Sequence, residues 1–171
     1  MITPAYCVTM ARYNAWQNKQ MTAAMAQLDA EALLADRGAF FGSILGTANH
    51  LLWGDVMWLS RLSDHPKPEV SGEDSPRFMP TFAAWQAERY RTDAKLILWA
   101  EKLRALDLTG DLTWTRGFGN EVKRRPMSLV LAHVFNHQTH HRGQIHAMLT
   151  AAGVKTEDTD LILLSDEGPW L

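Results

Sequence analysis

Apolar residues recur at helical spacing over four long stretches of the chain, so four amphipathic helices are predicted. The first starts after Thr3-Pro4, a capping residue followed by a proline suited to the first helical turn. It carries Tyr6, Met10, Tyr13, Met21, Met25 and Leu28. The second runs from about Gly42 to Leu62, with Ile44, Leu51, Trp58 and Leu62 along one face. The third spans about Phe82 to Leu106 and is anchored by Trp85, Leu96, Leu98 and Trp99. The fourth runs from about Ser128 to Ala152 and stops at Gly153, a residue suited to a helix C-terminus.

The connections are unequal. The segment from His65 to Pro80 holds Pro66, Pro68, Pro76 and Pro80, so it is predicted as a long loop, with His65 exposed in it. Leu112–Thr115 and Glu121–Arg124 flank Gly117-Phe118-Gly119-Asn120 and read as a small hairpin or an extended loop. The apolar run Leu161-Ile162-Leu163-Leu164 predicts a tail that docks on the body. Helices of about 20–25 residues are roughly 30–37 Å long, which suits an all-α four-helix bundle with the hairpin before its last long helix. The unequal connections leave its helix order open.

Composition narrows the function classes. A length of 171 residues suits a single domain, 1–171, with a sizeable core. Lys and Arg total 17 against 19 Asp and Glu, for a net charge of −2, which argues against a nucleic-acid-binding surface. The one cysteine, Cys7, excludes an intramolecular disulfide framework and a Cys-rich zinc site. The N-terminus shows no signal-peptide pattern, and no apolar run approaches the roughly 18 residues of a membrane span. A soluble, cytoplasmic protein is therefore expected.

The histidines change the picture most. Five of the seven fall between His133 and His146 on the fourth helix. At about 100° per residue, Val130, Val134, Ile145 and Met148 form an apolar stripe; His141 lies inside it and His137 at its edge. His133 and His140 lie further out, and His146 points elsewhere. An i,i+4 pair stacks its rings one turn apart, which lets two imidazoles meet one metal ion. Such pairs also occur on helices with no metal, but two buried imidazoles without partners would be costly. His50, beside the apolar face of the second helix, is the remaining helical candidate; alone, it reads equally as a core histidine.

His50 in Asn49-His50-Leu51-Leu52-Trp53-Gly54-Asp55, and His137 and His141 in Asn136-His137-x-x-x-His141-Arg142-Gly143-Gln144, resemble the DinB family of bacterial proteins. Tyr13-Asn14-Ala15-Trp16-Gln17-Asn18 resembles that family's first-helix pattern. The resemblance extends over essentially the whole chain. It implies a four-helix bundle of the DinB/YfiT type, often dimeric, with a divalent ion held by His50, His137 and His141. It also implies a metal-dependent enzyme, either a hydrolase or an S-transferase using a low-molecular-weight thiol. The competing expectation is a dimeric metal-binding scaffold without turnover.

Three imidazoles leave a coordination position open, whereas closed structural zinc sites use four protein ligands. Zinc or nickel is expected ahead of iron or manganese, with a small-molecule substrate and a thiol as candidate cosubstrate. Zinc lowers the pKa of a bound water to about 7, and an open position equally takes a thiol as thiolate. No general base is evident. Asp55 lies about 140° from His50 on the helix wheel and reads as a structural carboxylate paired with an arginine. Gln144 is a candidate hydrogen-bond partner near His137, and Arg142 is predicted to form a structural salt bridge. Gly117-Phe118-Gly119 reads as a turn or a substrate rim. Lys123-Arg124-Arg125 is either a solvated edge or a holder of a substrate carboxylate. Trp53, Trp58, Trp85, Trp99 and Trp114 are assigned to core or interface. Eight methionines and seven tryptophans, residue types enriched at interfaces, point with the resemblance to a homodimer.

Overall fold

The computed structural model describes residues 2–115 and 121–171. Helix α1 covers Pro4–Met25, and the Thr3 side chain accepts from the Tyr6 amide at 3.1 Å, as a capping residue should. It ends before Leu28. A short helix α2, Ala30–Leu34, follows behind an Asp29 cap; five residues are too few to print a helical period in the sequence. Helix α3 covers Ile44–Leu62 and starts two residues later than Gly42, because Gly42 takes a φ of +76° and Ser43 caps the first turn. Helix α4, Phe82–Lys102, stops short of Leu106; the chain re-forms a 3₁₀ turn at Ala105–Leu108. Strands β1, Asp111–Thr115, and β2, Val122–Pro126, form the antiparallel hairpin, with Trp114 opposite Lys123 and Leu112 opposite Arg125. Helix α5 covers Met127–Ala151.

The protein is mostly helical. Helix α1 packs on α4 and α5, and α3 packs on the same two helices from the other side. Two apolar clusters fill the space between them. One gathers Met25, Ile44, Leu51, Leu52, Trp85 and Ile145 with their neighbours; the other gathers Cys7, Tyr13, Ile97, Leu131 and Phe135 with theirs. Trp85 is fully buried and its indole N–H donates to the Ala48 carbonyl at 2.9 Å. Five of the eight methionines are core residues, so much of the apparent apolar excess is used inside the protein. Among the described residues, no helix is long and apolar enough to cross a membrane.

Between the apolar clusters runs a buried polar network that fixes the helices against one another. The Arg89 guanidinium on α4 donates to Asp55 on α3 at 2.6 Å and to both oxygens of Asp93 at 2.7 and 3.0 Å. Asn18 and Asn14 on α1 donate to Asp93, and Gln138 on α5 donates to Asp55 at 3.0 Å. Arg142 on α5 donates to Asn14 Oδ1 and lies over the Tyr13 ring. All four long helices are thus joined through groups that burial would penalise severely if left unpaired. The expected pairing of Asp55 with an arginine is present. Arg142 instead binds a neutral amide, that of Asn14 on α1, and among the described residues no ion pair of Arg142 is found; Asp55 and Asp93 act on it through their charge, while the guanidinium that donates to them is that of Arg89.

Two loop expectations change. His65 is half-buried rather than exposed. The tail docks through Leu164, Trp170 and Leu171, whereas Leu161–Leu163 forms a 3₁₀ turn that stays exposed, with Ile162 at 89 %. Gly117-Phe118-Gly119 lies outside the described residues.

Candidate metal centre

His50 on α3 and His137 and His141 on α5 converge where these helices cross. One ring nitrogen from each lies within 4.8 Å of the others, and the Nε2 atoms of His50 and His137 are 3.3 Å apart. His133, His140 and His146 lie outside this group. The His133 ring meets the edge of Trp58, His140 is exposed, and the His146 ring lies 3.2 Å from the Thr156 hydroxyl.

The sequence around His50 explains how it is placed. Asn49 is buried and donates to the carbonyls of Pro76 and Met79, while its own oxygen accepts from the Met79 amide. The Trp53 indole donates to Val70 at 3.0 Å, and Gly72 lies against its ring. These contacts lay the proline-rich loop along α3 and deliver Ser75 to His50. Two glycines, one turn on either side of His50, admit the site's other walls. A Cβ on Gly46 would sit 2.5 Å from the Phe41 carbonyl, and one on Gly54 would sit 2.7 Å from Cε1 of His137. The spacing Gly46-x-x-x-His50-x-x-x-Gly54 therefore lines one face of α3 with space on both sides of the imidazole. The Gly46 space lets Phe41 stack on the His50 ring at 3.9 Å between centroids.

Proton positions follow from the neighbours. The Ser75 hydroxyl donates to the Gly72 carbonyl at 2.6 Å, so toward His50 Nδ1, 2.8 Å away, it accepts. His50 therefore carries its proton on Nδ1 and presents a bare Nε2. The side-chain amide oxygen of Gln144, Oε1, accepts from His141 Nδ1 at 2.7 Å, which leaves Nε2 of His141 bare as well. Gln144 thus serves His141, not His137: at i,i+3 it sits directly over the His141 ring. Burial, reinforced by the other two rings, pushes His50 down to about 3. Burial, with His141 adding to it, pushes His137 down to about 4, and burial lowers His141 against the opposing pull of Gln144. All three imidazoles are neutral at physiological pH. Neutral rings with bare nitrogens turned toward one point suit a divalent ion, and hydrogen bonds that fix the far nitrogen are the usual supports of histidine ligands.

Sequence reasoning missed Phe41, Ser75 and Gly54. Ser75 belongs to a loop whose path depends on Asn49 and Trp53, so nothing local marks it. The glycine spacing around His50 was a readable signal. Replacing Gly54 with alanine is expected to press on the His137 ring and weaken zinc affinity by roughly tenfold or more, the range seen when ligand orientation is disturbed. Calorimetric zinc titration beside a circular dichroism spectrum checks this; unchanged affinity in a folded variant would contradict the packing argument.

These features define a helical protein with three histidines from two helices poised around one candidate ion site. The chain belongs to the DinB family, whose family model matches residues 1–168. It is also similar to the protein DinB of Bacillus subtilis (strain 168), at 24% identity over 166 residues and 91% of each chain. No solved structure matches at a comparable level of significance.

Proposed function

We propose that His50, His137 and His141 hold one divalent ion, zinc or nickel before iron or manganese, in a DinB/YfiT-type four-helix bundle formed by residues 1–171. We further propose that the protein is a metal-dependent enzyme acting on a small molecule, either as a hydrolase or as an S-transferase for a low-molecular-weight thiol. The observation that carries the reading is the pair of bare Nε2 atoms enforced by Ser75 and Gln144 beside His137. An ion bound there supplies Lewis acidity and an exchangeable coordination position. Phe41 stacks on the His50 ring and so shields it from water on one side. Gly54 leaves room for the His137 ring, and a groove opens beyond that ring for substrate.

One observation favours a second reading. Asp55, next to Gly54 in the chain, is committed to Arg89 and Gln138 and is unavailable as a general base. An ion that only ties α3 to α5 in a dimeric scaffold would need no base. The discriminating experiment is a panel of thiols with electrophiles beside a panel of esters and amides, using metal-loaded and metal-free protein. The enzyme reading expects turnover in one panel that requires metal and disappears in His137→Ala. No metal-dependent turnover in either panel, with a fourth protein ligand on the ion, supports the scaffold. A homodimer is proposed as the assembly, and sedimentation velocity at micromolar concentration tests it.

A further inference from the structure

Next to His137, a groove of ≈ 670 Å³ runs between α3 and the hairpin. Its character follows from strand alternation. Side chains on paired strands share a face when directly opposite, so Trp114 and Lys123 point the same way, and Arg125, two residues on, points with them. All three line the groove, whereas Arg124 pairs with Asp111 at 2.7 Å. The basic run on β2 is therefore divided between a solvated face and a groove face. From α3 comes Arg61, whose guanidinium lies 4.5 Å from the Trp58 ring and 5.5 Å from the Trp114 ring.

The charges are one-sided. Among the described residues, the groove lining contains Arg61, Lys123 and Arg125 and no carboxylate, in a chain whose acidic residues outnumber its basic ones. Lys123 is paired with Glu121, and Arg125 spends one donor, Nη1, on the Arg124 carbonyl at 2.8 Å, which leaves Arg61 as the main candidate anchor and the other Arg125 donors beside it. Arg61 is half-buried, and among the described residues no carboxylate forms an ion pair with it. Aromatic contact holds the flat faces of a guanidinium while its N–H donors project in the plane of the group, so stacking leaves the donors usable. Trp58 and Trp114 also offer flat apolar surface beside those donors.

We propose that this groove binds the substrate of the metal centre and selects an organic anion with a flat apolar body. Arg61 holds the anionic group, Arg125 reinforces it, and the tryptophans contact the body. The inference rests on the reading of the histidine cluster as a metal centre only for the identity of the bound molecule as substrate; the groove's preference for anions is independent of the ion.

The test compares 2-naphthoate, 2-naphthyl phosphate and the neutral 2-naphthamide by calorimetry and tryptophan fluorescence, with and without one equivalent of Zn²⁺. At least one anion is expected to bind tenfold or more tightly than the amide in both forms of the protein. The tighter of the two anions tells a carboxylate from a phosphate substrate. Arg61→Gln is expected to reduce the preference at least fivefold without changing zinc stoichiometry. If that variant fails to fold, the exposed Arg125→Gln decides, with an expected smaller reduction. Equal affinity for anions and amide overturns the proposal, as does a preference that the folded Arg61→Gln variant retains. A preference seen only with Zn²⁺ assigns the anion to the ion and overturns the groove's role. Anion preference lost in Arg61→Gln, in a protein that takes up no zinc, upholds the groove while the metal reading fails.

Discussion

Arg89→Ala is expected to destabilise the protein by about 3–5 kcal/mol, because it leaves two buried carboxylates without their shared cation. At this chain length that corresponds to a fall of very roughly 6–20 °C in Tm. Both partners are almost completely buried: Asp55 is 1% exposed and Asp93 3%. The pH dependence gives a second signature. Burial pushes Asp93 up to about 6 even with Arg89 pulling it down, so removing the guanidinium raises it further. A carboxyl whose folded pKa lies above its unfolded value binds more protons when folded, and stability then falls as pH rises through that window. The deficit of Arg89→Ala relative to the parent should therefore be smaller at pH 5.5 than at pH 7.5. Urea denaturation of both proteins at the two pH values measures this. A deficit under 1 kcal/mol, or one that grows on acidification, would mean that the network does not hold the helices as described.

His141→Ala is expected to weaken zinc binding beyond the roughly 10–100-fold that follows from disturbing a ligand's hydrogen-bond partner, since here the ligand itself is lost. Secondary structure should persist, because the two apolar clusters and the Arg89 network do not depend on the ion. The parent protein's zinc affinity should fall less between pH 7.5 and 6 than that of a site built from ordinary histidines, because burial lowers all three rings. Protons compete for a histidine site only near the pKa of its rings, and His50 and His137 lie at about 3 and about 4. Without metal the same shifts make the fold weaker in acid: below an unfolded histidine pKa of about 6.5, the unfolded chain takes up protons that the folded rings refuse. Dialysis against zinc followed by elemental analysis tests the variant. Retention of one equivalent at neutral pH would remove His141 from the site.

Much of this arrangement was legible in the sequence, for reasons that differ by residue. Apolar residues return at helical spacing in the four long helices, most clearly in α3, and the ends at Thr3 and Gly153 are recognisable. The inward direction of His137 and His141 follows from their angle to Val134 and Ile145, and Asp55 was readable as an arginine partner. The role of Asn14 and Asn18 in the first-helix pattern depends on Asp93 of α4, to which both donate, and spacing within α1 does not encode that partner. Ser75, Phe41 and the division of the β2 basic run depend on contacts between segments far apart in the chain, which spacing within one element does not encode. Arg142 was misjudged because a wheel gives direction and not the partner; it meets an amide on α1.

The central claim is tested most directly by anomalous diffraction at the zinc edge from crystals of the zinc-loaded protein. The account predicts one peak lying about 2.0–2.1 Å from Nε2 of His50, His137 and His141, with solvent in the remaining position. A peak elsewhere, no peak between the three rings, or a fourth protein side chain completing the coordination would contradict it.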